Sequence, residues 1–299
     1  MTAMDAQNSG KSVVKTTIGY NDPSSTTATG QVRTWKSGAT TYTYAYDARG
    51  NITSVSDGQS TTTYAYDSFD QLVRENNQAV GKTWTYAYDD DGKRITKTVN
   101  GTAYNYHYLG DQLVELTWGG NKLHFTYDST GPLSVSYNGT EYFYVKNAQG
   151  DVTGLVSASG TRVVTYTYDA WGNLLATTGS LAATLGEQNP LRYRGYVYDT
   201  ETGLYYLQSR YYNPTWGRFI NADDTTLLAS SPSKAHWDKN VFAYCDNNPL
   251  NRVDEDGECW NIIIGGIVGG IVSGASTIVN DAIMGRETTA GSVLKSVFV

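Results

Sequence analysis

A few residues of this 299-residue chain have the types and spacings that chemistry needs. Cys245 and Cys259 are its two cysteines, fourteen positions apart, close enough for a disulfide and too few for a disulfide-stapled scaffold. His107, His124 and His236 lie on separate segments with no Cys-x-x-Cys pair, so no ligand set has the spacing of a zinc site. The acidic runs Asp89-Asp90-Asp91-Gly92 and Asp254-Glu255-Asp256-Gly257 begin as a calcium loop does but lack the ligands that complete one. No metal or cofactor is expected. Aspartate beside glycine also has an ordinary use, in which the carboxylate accepts local backbone N–H groups and the glycine takes a positive φ. The formal charge of −7, with Lys and Arg scattered, argues against a nucleic-acid partner.

The elements that carry these residues are announced by a repeat. Upstream of residue 191, Tyr-x-Tyr-Asp occurs intact at 44–47, 64–67, 86–89 and 166–169, the first three copies starting 20 and then 22 residues apart, with weaker echoes between them. A period of this size marks a repeat architecture whose single unit is too small to fold alone. Within a unit, Tyr44 and Tyr46 flank Ala45, the period of two that predicts a strand with both tyrosines on one face. Turn signals follow, as in Asp47-Ala48-Arg49-Gly50-Asn51 and Asp169-Ala170-Trp171-Gly172-Asn173. Second strands are expected over 52–56, 71–74 and 94–99, closed by dipeptides such as Asp57-Gly58, Asn100-Gly101 and Asn138-Gly139. Each repeat reads as a β-hairpin, and 25 Tyr, 7 Trp and 31 Gly against 6 Pro fit an all-β chain. Two readings of the tyrosine face stand side by side: packing, and hydroxyls offered to water or cargo.

Residues 191–223 interrupt the repeat with a denser run of Tyr, Arg and Gly. Arg192, Tyr193, Gly195, Asp199, the Glu201-Thr202-Gly203-Leu204 run, Arg210-Tyr211-Tyr212, Gly217-Arg218-Phe219 and Asp223 fall at fixed spacing, and this stretch resembles the RHS-repeat-associated core domain. The upstream units are similar to YD repeats, so the resemblance covers roughly residues 40–258. It implies a spiralling β-sheet that winds into a hollow shell, a core domain that plugs one end, and a C-terminal toxin enclosed inside.

The resemblance also implies self-cleavage just after the core by an aspartic-protease-like pair. Two carboxylates that share one proton can divide the work, one activating water while the other donates. Asn248-Pro249 and Asp254 fall on the family's cleavage motif, Gly257 on its glycine, and Asp223 on the upstream aspartate. Arg218 is the expected charge partner of the pair. The motif places the cut between Glu258 and Cys259, making the chain at most a single-turnover autoprotease. Glu255 replaces the motif's proline, and Glu258 replaces the leucine before the cut, which puts an anion beside carboxylates that already repel each other. The other reading of Asp223, Asp254 and Asp256 is as turn and capping residues.

Residues 262–279 carry no charge and space Gly266, Gly270 and Gly274 four apart. That pattern suits either a helix that meets a target-cell membrane or a Gly-rich strip tucked inside the shell. The expected organisation is a frayed or truncated start over 1–39, YD repeats over 40–190, the core domain over 191–258 and an apolar pre-toxin segment over 259–299, with no toxin motif after it. No secretory signal is read in the chain, and the family implies a secreted or cell-surface parent protein. The expected partners are the protein's own toxin domain and an immunity protein for it. A rival reading is a surface adhesin whose exposed Tyr and Trp stack on sugar rings.

Overall fold

The computed structural model describes residues 3–4, 16–19, 31–222, 242–254, 257 and 260–262. Strand Thr40–Tyr46 runs antiparallel to Ile52–Ser56, with Tyr44 opposite Val55 and Tyr46 opposite Ile52. Thr61–Tyr66 with Leu72–Asn77, Lys82–Tyr88 with Arg94–Val99, and Arg162–Tyr168 with Leu174–Thr178 repeat the arrangement. Each of these four Tyr-x-Tyr-Asp copies thus closes the first strand of a hairpin, as the alternation requires. In all four the register slips just before the second tyrosine, a bulge that sharpens the twist into the turn. A fifth copy lacks the signature: Thr140–Lys146 pairs with Val152–Ser157 and slips between Val145 and Lys146, so Tyr144-Val145-Lys146-Asn147 occupies the same place.

The turns explain the aspartates. One oxygen of Asp47 accepts the backbone N–H groups of Arg49 and Asn51 at 2.9 and 2.8 Å, and the other accepts the Asn51 amide at 3.0 Å. Asp67, Asp89 and Asp169 cap the residues two and four positions ahead in the same way. The fourth turn position is left-handed, filled by Gly50 at φ 97° and, in the 67–71 turn, by Asp70 at φ 64°. At 147–151 the polar pair is inverted: Asn147 caps the backbone, and its amide donates to the carboxylate of Asp151 at 2.6 Å.

The chain divides into two compact units. The first comprises 1–124, 206–243 and 256–258, the second 125–205, 244–255 and 259–299. In the first, consecutive strands from Thr16–Gly19 to Gln112–Trp118 pair antiparallel. In the second, the same holds from Gly131–Tyr137 to Leu174–Thr178. The fold is therefore all-β, built of β-hairpins. The first tyrosine of each of these four copies (Tyr44, Tyr64, Tyr86, Tyr166) is buried, as are aliphatics such as Ile52, Val55, Leu72 and Val164, and each buried side chain of this size contributes about 1.5–3 kcal/mol.

The second tyrosine stitches one hairpin to the one before it. Tyr46 donates its hydroxyl to the Val32 carbonyl, Tyr66 to Ile52, Tyr88 to Leu72 and Tyr168 to Val152, at 2.7–3.1 Å. Lys146 does the same to Thr130 through its ammonium at 3.0 Å. Packing is thus the use of the tyrosine face in these copies, and the second-position hydroxyls are committed to the protein's own backbone.

The segment that interrupts the repeat packs where the hairpin turns end. In the first unit, Ile52 donates its N–H to the Ile220 carbonyl and Arg94 donates its own to the Tyr206 hydroxyl. In the second unit, Val152 donates to the Arg192 carbonyl. The inward rings and the interrupting segment thereby share the core, as where Tyr86 meets Tyr211 with centroids 5.5 Å apart.

Candidate functional site

Asp254 ends strand Arg252–Asp254, which pairs antiparallel with Trp260–Ile262 and sets Asp254 opposite Trp260. The two strands bracket residues 255–259. Glu255, Asp256, Glu258 and Cys259 lie outside the described residues, as do Asp223, the apolar run beyond Ile262 and the Cys259 half of the disulfide that the cysteine spacing allows. Gly257 is described, at φ 80°. A Cβ there would come within 2.7 Å of the Ser209 hydroxyl and 3.0 Å of the Leu207 carbonyl. Its own carbonyl accepts a hydrogen bond from the Arg210 guanidinium. Both conformation and space therefore demand glycine at this motif position.

Asp254 is 2% exposed. Its backbone N–H donates to the Tyr196 hydroxyl at 3.3 Å, and that hydroxyl lies 3.0 Å from the hydroxyl of Tyr244. The two rings meet edge to face. Burial raises both phenols well above their usual range, and the nearby Asp254 charge adds to the rise at Tyr196. Burial also pushes the Cys245 thiol up to about 12, with Asp254 contributing. A thiol held there stays protonated at neutral pH and is a poor nucleophile.

The turn leading into this strand is strained. Cys245, Asp246 and Asn247 have φ of 52°, 49° and 60°, three consecutive non-glycine residues in the left-handed region, where each costs about 1–2 kcal/mol. An ion pair between Asp246 and Arg252 closes the turn from the strand side. Strain held in place by its surroundings clusters at working sites.

Arg218, the expected charge partner of the aspartates, is placed in the first unit, where its strand bonds to Tyr211–Asn213. Its side chain lines an aromatic pocket with Tyr44, Trp216, Phe219 and Phe242. There its charge opposes part of the rise that burial imposes on the Tyr44 phenol.

Sequence reasoning gave no structural role to two other arginines, Arg94 and Arg192. Arg94 is fully buried, with its guanidinium 4.6–5.7 Å from the ring centroids of Tyr86, Tyr106, Tyr206 and Tyr211. Its signal was available, since it pairs with Tyr88 where Ile52 pairs with Tyr46 and Leu72 with Tyr66. Arg192, 1% exposed, lies over Tyr166 and Tyr198 and donates to the carbonyls of Gly186, Glu187 and Asn189. Among the described residues no group of His, Cys, Asp and Glu could hold a metal ion, and no helix is long and apolar enough to cross a membrane.

The model of the Teneurin YD-shell family matches residues 20–183 and again 119–250. Among curated proteins, the tRNA3(Ser)-specific nuclease WapA of Bacillus spizizenii is 43% identical over 185 residues, covering 60% of this chain and 8% of its own length. The tRNA nuclease WapA of Bacillus subtilis strain 168 is 40% identical over 185 residues, with the same coverage. The match thus spans 8% of the length of each of these relatives. Among solved structures, that of TcdB2-TccC3-Cdc42 superposes with a TM-score of 0.53 at 16% identity, over 86% of this chain and 15% of that one. This likeness is one of fold.

Proposed function

We propose, since the chain belongs to the Teneurin YD-shell family, that it forms part of the wall and core of a shell that encloses and delivers a C-terminal toxin. The observation that carries this reading is the combination of YD hairpins and core segment in one fold, together with relatives that are named as nucleases and are far longer than the chain. On this reading, 40–190 is wall, 191–258 is core and 259–299 leads toward the toxin, with 262–279 available to a target-cell membrane. The toxin domain and its immunity protein are the partners, and bacterial competition by a secreted or surface-bound parent is the setting. The carbohydrate-binding rival finds little support in the tryptophans, because Trp35, Trp84, Trp118, Trp171 and Trp216 are buried or half-buried.

Asp254 and Asp223 are the proposed catalytic pair for a single cut between Glu258 and Cys259, with Arg218 as their proposed charge partner. Burial of Asp254 and the antiparallel pairing of Arg252–Asp254 with Trp260–Ile262 support the assignment. Intact mass of the freshly synthesised chain tests it. A product ending at Glu258, abolished by Asp254→Asn, is the expected result; a chain that stays whole would remove the protease from the proposal.

A further inference from the structure

The inverted turn at 147–151 differs from its siblings by one exchange with chemical consequences. At 47–51 and 169–173 the carboxylate is on the first residue and the amide on the fifth. Here the first is Asn147 and the fifth is Asp151, so the turn keeps its internal hydrogen bond while its negative charge moves to the position facing the core segment. Asp151 is 6% exposed. Its free oxygen accepts the backbone N–H of Arg194 at 3.1 Å and lies 3.5 Å from the Arg194 guanidinium.

Arg194 is held hard at this spot. Its side chain is 1% exposed, its backbone adopts φ 56°, and its guanidinium lies over the Tyr193 ring at 5.2 Å. One terminal nitrogen donates to the Gln149 carbonyl at 2.9 Å and the other to the Pro249 carbonyl. From the same turn, the Gln149 amide donates to the Leu250 carbonyl at 2.7 Å. Two consecutive carbonyls of the segment leading to Asp254 are therefore gripped by one turn of the repeat and the arginine it anchors. A guanidinium is suited to this, because its fixed fork can face a carboxylate and two carbonyls together, which an ammonium cannot.

We infer that Arg194, anchored by Asp151, is a positioning residue that fixes residues 249–254 and so sets the rate of the self-cleavage proposed above, on which reading this inference rests. The charge exchange in the turn is what assigns this hairpin, and none of the others described, to the task.

The test uses the full chain synthesised in a cell-free system, with intact mass followed over time and hydrogen exchange measured on the peptide covering 248–254. The double exchange Asn147→Asp with Asp151→Asn restores the pair found at 47–51, preserving the turn while removing the carboxylate from Arg194. It is expected to raise exchange of the 250–254 amides and to slow appearance of the cut product, each at least about ten-fold, the scale of one charged hydrogen bond. Asp151→Glu, which keeps the carboxylate, should restore cutting to within about three-fold, a rescue that general loosening would not produce. Arg194→Lys gives a second route should the exchange fail to fold, and should slow cutting similarly. Unchanged exchange, or faster exchange with an unchanged cutting rate, would overturn the positioning role while leaving Asp254 in place. A wild-type chain that never cuts would remove the underlying reading, and the positioning role with it.

Discussion

The hydroxyl of Tyr88 donates to the carbonyl of Leu72 at 2.7 Å and lies 2.9 Å from the hydroxyl of Tyr211. One phenol thus joins two successive hairpins and the core segment of the first unit, and it does so from a strand that the repeat motif alone defines. The surrounding burial raises its pKa well above the usual range, so the donor is kept protonated at any ordinary pH.

Tyr88→Phe should cost more than Tyr168→Phe. Each change removes a hydrogen bond to a carbonyl, worth about 1 kcal/mol. Tyr88 also leaves Tyr211 short of a partner in a buried cluster, adding about 1 kcal/mol or more. Urea unfolding of the two variants checks the order, and equal losses would show that the Tyr211 contact contributes nothing.

Arg94→Lys should destabilise the first unit by about 2 kcal/mol although charge is conserved. A planar guanidinium lies over several rings at once, whereas an ammonium is a point charge that prefers water. Near-ultraviolet dichroism of the tyrosines should weaken alongside the urea midpoint. A lysine variant as stable as the parent would show that charge alone matters in the cage.

Alkaline pH should unfold the protein through its phenols. Tyr64, Tyr66, Tyr144, Tyr196 and Tyr244 are held well above their usual range, mainly by burial. In the unfolded chain they ionise near pH 10. The unfolded state then binds fewer protons than the folded one, so stability falls as pH rises. The contribution of these groups is intact below about pH 10 and is lost as pH climbs toward their folded values. Absorbance at 295 nm should show the buried tyrosines ionising together with loss of structure, and Cys245 becoming open to alkylation in the same step. Smooth ionisation of all tyrosines near pH 10 with structure retained would contradict this.

The hairpins were legible because Tyr44, Ala45 and Tyr46 alternate and Asp47 marks the turn, two local signals that agree. The hairpin of Tyr144 was hidden because Lys146 reaches back to the same kind of carbonyl as a tyrosine does, so the contact persists while the letters change. The surroundings of Asp254 were not legible. Tyr196, whose hydroxyl takes its N–H, is 58 residues away, and only the folded chain brings them together. Arg94 and Asp151 stood out from their repeat equivalents, yet seeing that required the register, which depends on a bulge no residue type announces.

The reach of the second tyrosine has a consequence for how such arrays change length. Tyr46 and Tyr66 reach back 14 residues and Tyr88 and Tyr168 reach back 16, always into the hairpin just before. A duplicated unit therefore arrives with its own donor and supplies an acceptor to the next, so recombination in whole hairpins leaves every stitch matched. Loss of half a hairpin would strand one hydroxyl and one carbonyl in the interior. Inheritance can lengthen or shorten the array only in these steps, and the hairpin is the quantum of its growth.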